Sequence, residues 1–489
     1  MGCCKASTEQ PEEVKEPAPT TYDWSRQWYA IAFVQDLDPT RPTPLELLGN
    51  RLVLWRDRAG AWRCFADRCP HRLAPLSEGR IEPSDGTLQC SYHGWRFSGD
   101  GACTAIPQAP DGAAHSAAAA SSRACAMVHP TQVRQGFVHV WGRSGPGAEE
   151  EAAAATPLLG PELDPNTADA RFPDGSPTLD LGKPYTRDLP YGWEYLMENL
   201  CDPAHVPYAH HGIIGRREAA GSVTISPTQP SDPLFPFAPE REGQSVDVTT
   251  SGARTASYKV QFVPPGLVRY VMPKFFGTRL AIMWMVGVPS APGRCRVLYW
   301  FFTPSVNAPE RLAKQAAEPA WKDHHVRSSV FDGDNPFLHR QERLLAEMRH
   351  SDGSAGWRRY FMPTTADRLV VGFRRWLDTR GGGGPTPGDP GPLEGRREVL
   401  LDRLHQHTEK CPGCMQAMRR FQRLRTVAAS ACAAALLGLC ASAAWGRTLL
   451  APLPPTLLLV AGAAAFAYVR LSALVARFVF TDYVHADQH

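Results

Sequence analysis

Cys69-Pro-His71, separated by eighteen residues from Cys90-Ser-Tyr-His93-Gly-Trp95, is the stretch on which the fold turns. Two thiolates and two imidazoles in two short clamps suit a [2Fe–2S] cluster with both sulfurs on one iron and both nitrogens on the other. The same residue types could close a Cys₂His₂ zinc site. Against zinc, each half sits in a hairpin-like context of Pro, Gly and polar residues, and no recognition-helix pattern follows.

The surrounding chain has room for two or three domains, at 489 residues. With 43% hydrophobic and 21% charged residues, plus 41 Gly and 45 Pro, it reads as loop-rich and globular. The net charge is only +3 and no basic tract is present, so a nucleic-acid partner is not expected. Thirteen scattered cysteines, two of them in the clamps, do not describe a disulfide scaffold. Residues 1–21 hold glutamates and prolines and read as a disordered tail. Gly2, Cys3 and Cys4 would suit acylation, but Ala6 stands where myristoylation wants Ser or Thr.

Outward from the clamps, residues 22–145 read as a β domain, with strand-like runs at Trp28–Ala32, Arg51–Arg56 and Gly136–Trp141. An alanine-serine surface insertion is expected within 106–130, and a linker over 146–184. Residues 185–378 read as α+β. That region holds a helix through Tyr191–Leu200, strands around 256–290 and 294–303, a helical stretch over 308–349 and a final strand at Arg368–Leu377. A flexible linker (379–393) and a charged helix (394–410) lead to Cys411-Pro-Gly-Cys414 in a segment ending at 424. Thr426–Gly446 and Thr448–Val469 then carry no formal charge, so 425–476 reads as two membrane helices before a tail at 477–489. Roughly 20 apolar residues suffice to cross a bilayer.

A second centre is legible in Glu198-Asn-Leu-Cys-Asp202-Pro-Ala-His205-Val-Pro207-Tyr-Ala-His210-His211. Asp202 and His205, three apart, would share a helix face, and Pro207 would end or kink that helix and let His210 turn back toward His205. Two histidines and one carboxylate with open positions make the facial triad of O₂-activating non-haem iron. The carboxylate must come from elsewhere: Asp334 is the first candidate and Asp332 the second. Asp202 is read as hydrogen-bonding the far nitrogen of His205 and bridging toward a cluster histidine. His211 is read as a neighbour of the site rather than a ligand.

One-electron delivery beside an iron with open positions makes sense for reductive activation of O₂. No Gly-rich dinucleotide fingerprint is present, so a separate electron donor is expected, with Arg68, Arg72 and Arg96 as a docking surface for an acidic carrier.

The two clamps and Asp202-x-x-His205-x-x-x-x-His210 resemble the Rieske non-haem iron oxygenase family. Asn199 through Gly212, Phe337–Glu342, Tyr360–Asp367 and Arg374-Arg-Trp376 are similar to its pheophorbide a oxygenase group, and the likeness covers residues 22–480. It implies a Rieske β domain followed by an α+β catalytic domain of helix-grip, START-like type, with a C-terminal transmembrane hairpin. It also implies a [2Fe–2S] cluster on Cys69, His71, Cys90 and His93, and a mononuclear Fe(II) on His205, His210 and Asp334. The implied setting is a chloroplast membrane, thylakoid or inner envelope. Reduced ferredoxin would be the donor, and the activity O₂-dependent opening of a chlorophyll-derived tetrapyrrole, or oxidation of a side group without ring opening. The implied assembly is a head-to-tail homotrimer, in which Asp202 links one subunit's cluster to the next subunit's iron. A non-catalytic redox-sensing membrane protein is the remote alternative. Cys411 and Cys414 leave three readings open: a thioredoxin-accessible switch, an inert pair, or half of an intermolecular metal site.

Overall fold

A computed structural model describes residues 22–487 except 111, 158–159, 161, 165, 229–243, 252–255, 274–276, 307–308, 353–355 and 447–452. The tail expected over 1–21, with Gly2, Cys3, Cys4 and Ala6, lies outside the described residues. The protein is α+β and its sheets are antiparallel.

The N-terminal part stacks three small sheets. Thr43–Leu47, Asn50–Arg56, Trp62–Ala66 and Val128–His129 form one, and Trp28–Phe33, Phe137–Trp141 and Thr131–Arg134 another. The third joins Arg80–Ile81, Leu88–Gln89, Arg96–Phe97 and Cys103–Ala105. Val53, Trp55, Phe65, Leu76, Leu88 and Phe97 fill the space beneath it, and Cys69 and Cys90 belong to that same buried cluster.

The second part is built on seven strands in the order Thr178–Leu189, Arg294–Pro304, Ala281–Ala291, Leu267–Met272, Ala256–Val263, Gln244–Ser251 and Ser222–Pro227. Alternate residues of these strands point to opposite faces, and both faces are covered. Trp284, Trp300 and Phe302 pack with Tyr29, Ile31 and Phe137 of the N-terminal part. The other face, through Tyr185, Val260 and Phe262, packs with Trp193, Phe331, Leu369, Phe373 and Trp376 from the helices Trp193–Leu200, Ala320–Asp352 and Arg368–Thr379.

Several local expectations need correcting. Arg368–Leu377 is a helix, not a strand. Its buried positions Leu369, Val370, Phe373, Trp376 and Leu377 follow the helical period, and Thr364 with Asp367 forms a capping box ahead of it. The Val-Val pair invites a strand reading that this spacing overrides. The expected linker 146–184 already contains the helix Ala148–Ala154 and the first residues of the edge strand Thr178–Leu189. The charged stretch 394–410 is not one helix: short turns at Arg397–Leu400 and Arg403–Gln406 are separated where Asp402 caps His405 N. The helical stretch over 308–349 is interrupted before Pro319, giving Glu310–Ala316 and the long helix Ala320–Asp352.

Two long helices close the chain, Pro412–Ala444 and Leu453–Ala476, both long and apolar enough to cross a membrane and largely uncovered by protein. They pack as a hairpin in which a side chain at Gly438 would lie 3.2 Å from Leu457. The first begins well before the uncharged run, so its opening turns belong to the catalytic body.

Candidate active site

The two clamps form a matched pair of turns. Cys69 N donates to Ala74 O and Leu73 N donates back to Cys69 O. In the second turn Cys90 N donates to Trp95 O and Gly94 N to Cys90 O. The residue four after each cysteine has positive φ, 61° at Leu73 and 76° at Gly94, which curls each loop around its ligand. The thiols are buried, at 2% and 1% exposure. The His71 imidazole is exposed and that of His93 half-buried, with centroids 4.6 Å apart and His71 stacked on Trp95. Burial pushes the Cys69 thiol up to about 12, so its thiolate needs a positive metal beside it. Two sulfurs inside and two nitrogens outside fit a Rieske cluster. Leu73 and Tyr92 are 70% and 61% exposed beside it. Arg72 lies over the Tyr92 ring and Arg68 against Met127 Sδ, whereas Arg96 is engaged by Asp85 at 3.3 Å and Glu82 at 3.6 Å.

The second centre is brought together by a loop and a long helix. His205 Nε2 and His210 Nε2 are 3.2 Å apart, and Asp334 Oδ1 lies 3.8 Å from the first and 3.5 Å from the second. Cis ligands on one metal at ordinary bond lengths are separated by about 3 Å, so the triangle matches one face of a metal site. The local route differs from the expectation. The helix Trp193–Leu200 ends before Asp202, and Pro207 sits in the first turn of a new short helix, Val206–Ala209, rather than ending an old one. Proline is tolerated there because a first-turn N–H has no partner within the helix. Asp202 therefore meets His205 across a loop, Oδ2 to Nδ1 at 3.6 Å, while its Oδ1 accepts from Ala204 N.

Burial lowers the His210 imidazole to about 3, leaving it neutral and able to ligate. At His205 burial acts downward too, but Asp202 and Asp334 outweigh it and the ring is raised. Burial raises the Asp334 carboxyl to about 6 against the pull of His205, and Asn199 Nδ2 steadies it at 3.4 Å. Asp332 is elsewhere. Two residues apart on a helix, the carboxylates point in nearly opposite directions, and Asp332 is fully buried between Arg187 at 2.7 Å and Arg403 at 2.6 Å. His211 accepts from Arg217 N and stands outside the triangle.

Gly333, between the two aspartates, has a structural role that the sequence alone does not show. A Cβ there would lie 3.0 Å from Ala209 O and 3.2 Å from His210 Nδ1, so the absence of a side chain lets the long helix approach the histidine loop. A glycine between two aspartates in a helical stretch was the available signal.

His205, Asp334 and Asp202 border an open cavity of about 570 Å³, within the range of small-molecule sites. Phe337, Leu344, Tyr360, Phe361 and Met362 make its walls apolar, and Arg340 lines it too. Cys411 and Cys414 are buried, at 5% and 1% exposure.

Comparison with known proteins agrees with this layout. Residues 27–120 match the model of the Rieske [2Fe-2S] domain, and residues 262–352 match that of pheophorbide a oxygenase. The chain is 37% identical over 504 residues to a chloroplastic pheophorbide a oxygenase of Oryza sativa subsp. japonica, spanning 96% of this chain and 87% of the relative. It is likewise 37% identical to that of Arabidopsis thaliana, over 97% of this chain and 86% of the relative. Flavonoid 8-hydroxylase 2 of Ocimum basilicum, also chloroplastic, is 35% identical over 85% of this chain and 78% of its own length. A dicamba monooxygenase crystal structure with bound dicamba shares the fold, with TM-score 0.50 and 18% identity over 73% of this chain and 97% of that one.

Proposed function

This chain belongs to the Rieske-type oxygenases related to pheophorbide a oxygenase, and from that footing we propose that it oxidises a chlorophyll-derived tetrapyrrole in a chloroplast membrane, opening the macrocycle of a pheophorbide-type substrate. The observation that carries the reading is the histidine–carboxylate triangle facing a broad aromatic cavity that includes Arg340. A flat, apolar macrocycle bearing a carboxylate matches such a lining: Phe337, Tyr360 and Phe361 would cover its faces and Arg340 would take the charge.

The protein carries a Rieske cluster and a mononuclear iron site, which when filled supply single electrons and O₂ activation respectively. We assign the cluster to Cys69, His71, Cys90 and His93, and the iron to His205, His210 and Asp334. The chain's own contribution is positional. Asn199 restrains Asp334, Gly333 admits the long helix, and Phe337, Tyr360 and Phe361 would hold the macrocycle over the triangle. Each turnover takes two electrons and two protons, placing one oxygen atom of O₂ on the substrate and the other in water; opening the macrocycle then consumes one water, which supplies the second oxygen of the cleaved methine bond.

Asp202 keeps a third of its side chain exposed. Of the cluster histidines His71 is exposed and His93 half-buried, beside exposed Leu73 and Tyr92. These two faces support a head-to-tail homotrimer in which Asp202 meets a neighbour's cluster histidine. Reduced ferredoxin is the donor in this reading, with Arg68 and Arg72 nearest the cluster. The long helix laid on the seven-stranded sheet supports a helix-grip, START-like description of the catalytic domain.

The flavonoid hydroxylase relative favours one second reading, hydroxylation of a plant phenolic by the same centre. Incubating reduced protein with pheophorbide a, chlorophyllide a, protochlorophyllide and a flavone separates them. Consumption of pheophorbide a with a ring-opened product supports the proposal, and turnover of the flavone alone overturns it.

A further inference from the structure

Four buried side chains with no part in the chemistry above converge at the base of the first membrane helix. His324 lies on the long helix, His407 in the turn after Arg403–Gln406, and Cys411 and Cys414 at the start of Pro412–Ala444. His324 Nδ1 is 3.3 Å from Cys414 Sγ, 3.5 Å from Cys411 Sγ and 3.2 Å from His407 Nε2. His407 Nε2 is 3.3 Å from Cys414 Sγ. All four ligand atoms lie within 4.8 Å of one another, and the residues are 1–5% exposed.

We propose that His324, His407, Cys411 and Cys414 bind one zinc ion. A tetrahedron with ordinary Zn–N and Zn–S bonds has edges of about 3.3–3.8 Å, close to the separations found. Two irons would hold the nitrogens and sulfurs on opposite metals, too far apart for these contacts. The outer nitrogens are oriented for the task. His324 Nε2 faces Pro184 O at 3.0 Å and His407 Nδ1 faces Thr186 O at 2.6 Å. A carbonyl only accepts, so each outer nitrogen carries the proton and each inner nitrogen presents a bare lone pair to the cluster. Two thiolates would neutralise the ion, which suits a site closed off by Trp321, Met415, Phe421 and Phe478. With four protein ligands the site has no open position, so its role is structural. It would tie the edge strand Thr178–Leu189, the helix that carries Asp334 and the first membrane helix into one knot. That knot sets how the catalytic body stands on the membrane.

The experiment is metal analysis and zinc K-edge absorption on the full-length, detergent-purified protein grown with both iron and zinc. One zinc per chain beside the iron is expected, with two sulfurs at about 2.3 Å and two nitrogens at about 2.0–2.1 Å. Cys411→Ser combined with Cys414→Ser should lose the zinc and keep the Rieske electron-paramagnetic signal. Should that variant not fold, mercurial titration of the wild type provides the readout: one zinc released as two buried thiols react. Protein without stoichiometric zinc, zinc without sulfur ligands, or a Cys411–Cys414 disulfide in the non-reduced protein would each overturn the proposal.

Discussion

Asp332→Asn and Asp334→Asn form a paired test, because the two carboxylates share a helix yet face different environments. Asp332 is fully buried and both its oxygens are claimed by guanidinium groups, Arg187 at 2.7 Å and Arg403 at 2.8 and 2.6 Å. Neutralising it leaves two buried cations without their counter-charge, and breaking a buried ion pair from one side costs about 3–5 kcal/mol. Some compensation remains: Arg187 still donates to Ser328 O and Gln406 Oε1, and Arg403 to Arg477 O and Ser329 Oγ. The loss should therefore sit near the lower end, about 3 kcal/mol, lowering the melting temperature by about 5 °C or more. Its iron content should stay at about three per chain, two in the cluster and one mononuclear. Asp334→Asn should do the reverse. Its carboxyl is already raised to about 6 by burial, so an amide of the same shape is tolerated, while iron falls to about two per chain. Thermal melting with iron analysis on both proteins reads the two effects. Loss of the third iron in Asp332→Asn with retention in Asp334→Asn would refute the assignment.

Gly333→Ala sets a helix gain of about 1 kcal/mol against an overpacking cost of about 1–3 kcal/mol. Ala209 O is held by Tyr483 and cannot move freely, so cost should win, with reduced mononuclear iron; a more stable, fully loaded variant would contradict this. Asp202→Asn should keep both metals but slow single-turnover oxidation of the cluster, and an unchanged rate would exclude a bridging role. Glu342 is raised to about 7, chiefly by burial and against the pull of Arg343. Because the unfolded chain releases this proton first, stability should fall as pH rises from about 4.5 to 7. Glu342→Gln should lessen that fall, as melting curves across the range would show.

Features set by local chemistry are the most legible in the sequence. Cys69, His71, Cys90 and His93 stand out in the sequence because each clamp is a short turn whose residues are neighbours in the chain. The apolar hairpin was legible because uncharged length alone defines it. Reading weakened where distant packing decides. Asp332 and Asp334 look equivalent in sequence, and only Arg187 and Arg403, far away in the chain, separate them. Arg368–Leu377 was misread because strand-forming residues occupy a helical spacing. His324 drew no attention, since its partners lie more than eighty residues downstream. Pro207 reads as a helix end or kink, whereas its place in the first turn of Val206–Ala209 makes it a start.

The most direct measurement is mass analysis of product after incubation of pheophorbide a with ¹⁸O₂ and reduced ferredoxin, comparing wild type with His210→Ala. Wild type should give an opened macrocycle carrying an ¹⁸O atom. His210→Ala should give none while its cluster is still reduced by the donor. An unlabelled product, or labelled product formed equally by His210→Ala, would contradict oxygen activation at the His205–His210–Asp334 centre.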